Sequence, residues 1–172
     1  MIESFWSKIN ESRILQGDFL TDCNVPVSPP NYSAKQPEEI QVDVYDLIVV
    51  TQSCDLVNNK AKLVAACPIY PISEFEKGNP DFIKRSKWNE VRRGRFEGLH
   101  LLGSPLQPSN NSIALVVNFR EIYSLPHDYL IQHAVSLGER WRLRSPYLEH
   151  FSQALARFFM RVGLPSEIPE FK

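Results

Sequence analysis

The stretch Asp46-Leu47-Ile48-Val49-Val50-Thr51-Gln52-Ser53-Cys54-Asp55-Leu56 decides how this chain is read. An apolar, β-branched run favours a strand, and it leads straight into Gln, Ser, Cys and Asp. A buried strand that delivers such side chains to one end of a sheet is a frequent way to build a site. Working outward, residues 42–52 form the central strand and 53–60 a polar turn containing Asn58-Asn59. Leu63-Val64-Ala65-Ala66-Cys67-Pro68-Ile69 returns antiparallel, so the two runs make a hairpin.

Upstream, residues 14–20 (ILQGDFL) predict a first strand bent at Gly17. Ile2, Phe5, Trp6 and Ile9 fall on one face of a short helix over 2–10. Residues 24–41 carry Pro26, Pro29, Pro30 and Pro37 and read as a long loop. Downstream, 73–95 is charged, with a short helix over 80–90. Strands follow at 96–102, 113–119 and 121–125, with a turn region at 103–112, and a helix at 128–137. The last element is a helix over 145–163, with Ser145 as N-cap, Pro146 in its first turn and Gly163 and Pro165 ending it. Leu148, Phe151, Leu155, Phe158, Phe159 and Val162 supply its apolar face. The expected architecture is mainly β (α+β): one domain over 1–172, a small barrel with long loop insertions and an amphipathic C-terminal helix. Closure is attractive because it leaves no sheet edge exposed.

Composition sets bounds on function. With 172 residues, 43% hydrophobic, 23% charged and a net charge of −1, the chain has no global field drawing it to nucleic acid or membrane. Charge is uneven, however. Residues 22–46 hold Asp22, Glu38, Glu39, Asp43 and Asp46 against Lys35, whereas 84–95 hold Lys84, Arg85, Lys87, Arg92, Arg93 and Arg95 against Glu90. No run approaches the roughly 18 apolar residues of a membrane span, and the first residues lack an export signal. The three cysteines, Cys23, Cys54 and Cys67, have no paired spacing, so a reducing cytoplasm is expected.

The order of these pieces resembles the MazF/PemK-type toxins. The resemblance lies in Gly17-Asp18-Phe19 on the first strand, Leu47 to Gln52 on the second and Val64 to Ile69 ending in Pro-Ile. It continues in Val116 to Leu125 and in a closing segment from Leu143 to Leu164. It implies an SH3-like barrel, cleavage of single-stranded RNA without metal, and a toxin–antitoxin or defence setting with an antitoxin-like protein partner. The family commonly uses an Arg after the first strand and a Thr or Ser after Pro-Ile. Here the loop offers Lys35, and Tyr70 follows Pro68-Ile69.

Three sites are read from the residues beside a fourth, the terminal helix, where Arg157 and Arg161 stand i, i+4 with Gln153 and Glu149 on the same side and core packing is the plainer reading. The first is Cys54 with Asp55: a thiolate next to a base is a nucleophile, the base being one of His100, His127, His133 or His150. The plainer reading is a packed Cys54 and a turn closed by Asp55. The second, a zinc set of the three cysteines with His100, lacks close ligand pairs, so no metal or other cofactor is expected. The third is the segment Arg85, Lys87, Trp88, Arg92, Arg93 and Arg95, whose guanidinium forks and aromatic ring suit phosphates and an unpaired base. A solvated charged loop is its plainer reading. Arg140-Trp141-Arg142-Leu143-Arg144 repeats that texture on an alternating strand. For RNA cleavage, His100 would act as acid or base and Arg93 as the cation. His150 is expected at the surface of the terminal helix. The surplus of Phe158-Phe159-Met160 leaves room for a homodimer contact. The competing readings are a non-catalytic protein-binding barrel and a thiol enzyme centred on Cys54.

Overall fold

The computed structural model describes residues 4–28, 40–107, 110 and 113–160. Eight strands and five α-helices are found there: β1 (Trp6–Ile9), β2 (Asp18–Val27), β3 (Gln41–Val49), α1 (Ser53–Val57), β4 (Leu63–Pro71), α2 (Ile72–Gly78), α3 (Arg85–Arg92), β5 (Leu99–Leu102), β6 (Leu115–Asn118), β7 (Tyr123–Pro126), α4 (His127–Leu137), β8 (Arg140–Leu143) and α5 (Tyr147–Phe159). A 3-10 turn, Pro80–Ile83, joins α2 to α3. The fold is mainly antiparallel β with helices packed on it. The strand order is β1-β8-β2-β3-β4-β6-β5, with β7 also on β4. Between Val117↔Ile69 and Tyr123↔Ala66 the register slips, so residues 118–122 bulge where β7 takes over from β6 along β4.

The central hairpin is as expected: Leu47, Ile48 and Val49 of β3 pair with Pro68, Cys67 and Ala66 of β4. Successive side chains alternate across a strand, and both faces are buried here. Ile48 joins Trp6, Phe19, Cys67, Phe119 and Phe151 in a core under α5. Leu47 and Val49 join Leu20, Val64, Leu130 and Ala134 in a second core under α4. A third cluster, Phe75, Phe82, Val91, Leu99 and Val116, seats α2 and α3 on β5 and β6.

The sheet is open, which corrects the closed barrel. No ladder joins its end strands, β1 and β5. The gap is spanned by side chains: the Trp6 indole N–H donates to the Gly103 carbonyl at 2.6 Å. The Phe5 ring lies against the same glycine and stacks on Tyr147 with centroids 3.8 Å apart.

Other expectations also change. Residues 6–9 are a strand, not a helix, because β8 offers a complete antiparallel partner from Arg140 to Leu143. Only Trp6 of these four is buried, and Phe5 just before it packs, partly buried, on the same core. Strand β2 runs on to Val27, pairing Cys23–Val27 with Gln41–Tyr45 in a ribbon that takes in both ends of the expected loop. Its register shift at Thr21 and Asp22 places Asp22 at φ 54, and the Asp46 carboxylate accepts the Asp22 N–H at 2.9 Å. Pro29, Pro30 and Pro37 lie outside the described residues. The turn after β3 contains the short α1. Ser145 does not cap α5: Pro146 precedes its first residue, and the Arg144 carbonyl accepts the Leu148 N–H at 3.0 Å. Gly163 and Pro165 lie outside the described residues.

Arg140 and Arg142 are not a basic surface. Asp18, 0% exposed at the start of β2, accepts from Arg140 Nε at 3.2 Å and Nη2 at 3.1 Å and from Arg142 Nη2 at 3.0 Å. Arg142 Nε also donates to Asp18, and its Nη1 to Glu11. That bond holds the Glu11 carboxyl below its ordinary range. Arg140 further binds the carbonyls of Glu11 and Arg13 at 2.6 and 2.7 Å. Gly17, at φ 84, lets Leu143 and Leu148 close on the chain just before β2, since a Cβ there would meet them at 3.0 and 2.9 Å. Removing one member of a buried ion set strands the others. Asp18→Asn is therefore expected to lower the unfolding free energy by about 3–5 kcal/mol in urea titrations. Lys8→Ala, which breaks the exposed pair with Glu139, is expected to cost under about 1 kcal/mol.

Candidate functional site

Strand β5 divides its side chains between two layers. Leu99 faces the α2–α3 cluster, so His100 turns the opposite way, toward α5. Its ring lies 6.1 Å from Phe119 and 5.8 Å from Phe151, centroid to centroid. Burial, reinforced by the neighbouring His150, brings His100 down from 6.5 to about 4. The imidazole is therefore neutral at ordinary pH.

Three segments meet around this ring in an open cleft of about 440 Å³. The first is the end of α3 with the turn after it, bringing Arg92 and Arg93. The second is Gly98 to His100, with Phe119 beside it. The third is one stripe of α5: His150, Gln153 and Arg157. These last residues lie at i, i+3 and i+7, the spacing that aligns side chains along a helix. Gly98 makes the floor thin enough. It sits at φ 92, and a Cβ would meet Arg120 at 2.9 Å and Phe158 at 3.3 Å. Its carbonyl accepts the Phe119 N–H at 2.8 Å, which ties the β5 entry to the bulge after β6. The cleft carries Arg92, Arg93 and Arg157 against Glu97, a positive balance that suits an anion. A neighbouring cavity of about 280 Å³ has the opposite character. It holds Glu74 and Glu121 beside Arg120, and Glu121 accepts from Tyr70 and Asn118.

The structure gathers some expected residues and separates others. Arg92, Arg93 and His100 share the cleft. Arg95 does not line it and, with Arg93, faces Glu90 at 3.6 and 3.9 Å. Arg85 and Trp88 line an adjacent groove that meets the cleft at Arg92. Trp88 is half-buried against Phe75 and Phe82, and its indole donates to Glu76 at 2.7 Å. Lys87 is exposed and lines neither depression.

Cys54 stands apart, exposed on α1, its thiol 3.7 Å from Gln52 and 3.9 Å from Asp55. The Asp55 carbonyl closes the turn by accepting Lys60 N–H at 2.9 Å. None of the four histidines is among the hydrogen-bond partners of Cys54: His133 binds the Thr21 carbonyl, while His100 and His150 line the cleft. Cys23 and Cys67 lie in different cores, and burial pushes both thiols up to about 12. Among the described residues, no three His, Cys, Asp or Glu side chains cluster to hold a metal ion. None of the described helices is long and apolar enough to cross a membrane.

Comparisons with protein-family models, curated proteins and solved structures found no match.

Sequence reasoning put Gln153 and Arg157 on one side of the terminal helix and His150 at its surface, and missed that all three line one cleft with His100. The alignment of these three was legible; the strand they would face was not. The depressed His100 gives a pH signature. Between 6.5 and about 4 the unfolded chain binds a proton that the folded chain refuses. Stability is therefore complete above that window and lost as pH falls through it, by about 3 kcal/mol for this shift. The urea midpoint of wild type is expected to fall relative to that of His100→Leu as pH drops through the window.

Proposed function

We infer that this chain binds single-stranded RNA in the His100–His150 cleft and cleaves it by transesterification. The observation that carries this reading is that two imidazoles and the guanidinium groups of Arg92, Arg93 and Arg157 line one depression. In the proposed reaction, neutral His100 accepts the 2′-hydroxyl proton as the 2′-oxygen bonds to phosphorus. His150 donates a proton to the 5′-oxygen as the P–O bond breaks. The products are a 2′,3′-cyclic phosphate and a free 5′-hydroxyl. Arg93 and Arg157 offset the charge that builds on the phosphorane oxygens, and Gln153 offers a neutral donor beside them. Solvent returns each imidazole to its starting form.

The wider proposal keeps the likeness to the MazF/PemK-type toxins, with an opened SH3-like barrel and a toxin–antitoxin or defence role. What supports it is the order of the strands, the approach of β1 to β5 through Trp6 and the helix α5 packed across one sheet face.

A second reading, a protein-binding module with an antitoxin-like partner, is favoured by one observation. On the β2–β3 ribbon and just before it, Ile40, Val42 and Val44 are 73%, 53% and 61% exposed. Phe159 and Met160, also exposed at the end of α5, suit a second copy of the chain.

The test is a single-turnover assay on fluorescent single-stranded RNA in EDTA. His100→Gln and His150→Gln are each expected to slow cleavage about 10²-fold or more. Arg93→Ala is expected to weaken binding and turnover together, and a DNA strand of the same sequence should remain uncut for want of the 2′-hydroxyl. If every RNA stays intact with wild type, the catalytic assignment fails. Co-purification of a stoichiometric protein, without RNA binding, would favour the second reading.

A further inference from the structure

The cleft opens at Arg92 into a second depression of about 510 Å³, between α3 and the end of β5. This is within the roughly 300–1,000 Å³ range of small-ligand sites. Its walls are apolar, with Phe5, Trp88 and Leu101 prominent, and its polar side chains are Arg85, Asn89 and Arg92. No carboxylate lines it among the described residues.

These polar groups are uncommitted. Arg93 and Arg95 share Glu90, whereas Arg85 and Arg92 pair with no carboxylate among the described residues. The Asn89 amide likewise has no side-chain partner there; its residue contributes only a backbone carbonyl, to Arg93 N–H. A wall with half-buried Trp88 and Asn89, flanked by the exposed guanidinium groups of Arg85 and Arg92, suits a flat, polar-edged group joined to an anion.

We propose that this groove is a base-binding subsite for an unpaired purine next to the phosphate held in the cleft. The proposal rests on the RNA reading above and deepens it. Arg92 belongs to both depressions, so it can hold the phosphate that links one nucleotide to the next. The apolar wall of Trp88 and Leu101, bordered by Phe5, takes the base face, as apolar and aromatic side chains do in single-strand binding. Asn89 offers one donor and one acceptor, which match adenine N7 and N6. Arg85 offers a fork, which matches guanine N7 and O6. Both polar side chains thus fit the Hoogsteen edge of a purine, which a pyrimidine lacks, and the larger purine ring system covers more of the apolar wall.

The experiment measures fluorescence anisotropy with short 2′-O-methyl oligomers, which cannot be cut: mixed A/G against oligo-U at one salt concentration. Wild type is expected to bind the purine oligomer about tenfold more tightly, within the range of one good bidentate side chain–base pair. The double variant Arg85→Ala/Asn89→Ala loses that preference, whereas Lys87→Ala, on the same helix but lining neither depression, keeps it. Equal binding of both oligomers by wild type, or a preference that survives the double variant, overturns the subsite and leaves the RNA reading standing. If wild type binds neither oligomer, both fall. Arg93→Ala/Arg157→Ala separates the two levels: it should weaken both oligomers alike and leave their ratio unchanged.

Discussion

A carboxylate removed from water must be answered by cations and donors, or it will not stay ionised. Asp18 imposes that requirement, and the chain meets it with Arg140 and Arg142 from a strand 122 and 124 residues away. Much of the architecture follows. β8 is only four residues long and touches β2 through just two paired positions, so the ion set supplies what its short ladder lacks. β8 in turn carries β1 on its other edge and leads directly into α5. His150 and Arg157 therefore reach the cleft through a helix whose root is fixed by buried charge at the start of β2.

The cleft lies where two packing layers part. β5 sends Leu99 into the cluster under α3 and His100 toward α5. Neither helix layer can cover that junction completely, so a depression remains between them. The same geometry explains its chemistry. α3 ends there and brings its terminal arginines, and the polar border of α5 faces them across the gap. Packing against two phenylalanines makes His100 at once a structural ring and an unprotonated base.

Long apolar runs were legible in the sequence and short elements were not. Leu47 to Val50 and Val64 to Ile69 announce the central hairpin, and Leu130 with Ala134 and Phe151 with Leu155 announce two helices, because burial enforces their periods. Trp6 to Ile9 fits a helix and a strand equally well; only its partner strand decides. The outer half of β2 reads as loop because Asp22, Asn24 and Pro26 face solvent, while Cys23 and Val25 quietly alternate inward. Arg140 and Arg142 look like a basic face because nothing nearby in the sequence reveals Asp18. The candidate site was half visible for the same reason. Arg92, Arg93 and His100 are close in sequence, whereas His150 and Arg157 join them only through tertiary packing.

The slit between β1 and β5 also bears on how the molecule can move. A fully laddered cylinder has a fixed girth, since widening it anywhere breaks backbone pairing. Here the circumference is interrupted, and the interruption borders the groove that Phe5, Leu102 and Gly103 help to line. Parting the lips of that slit would break no strand pair, but it would uncover Trp6, which is buried in one core with Leu102. The seam is thus held by buried side chains where a closed barrel would have a backbone ladder, and the groove beside it has one wall without strand pairing.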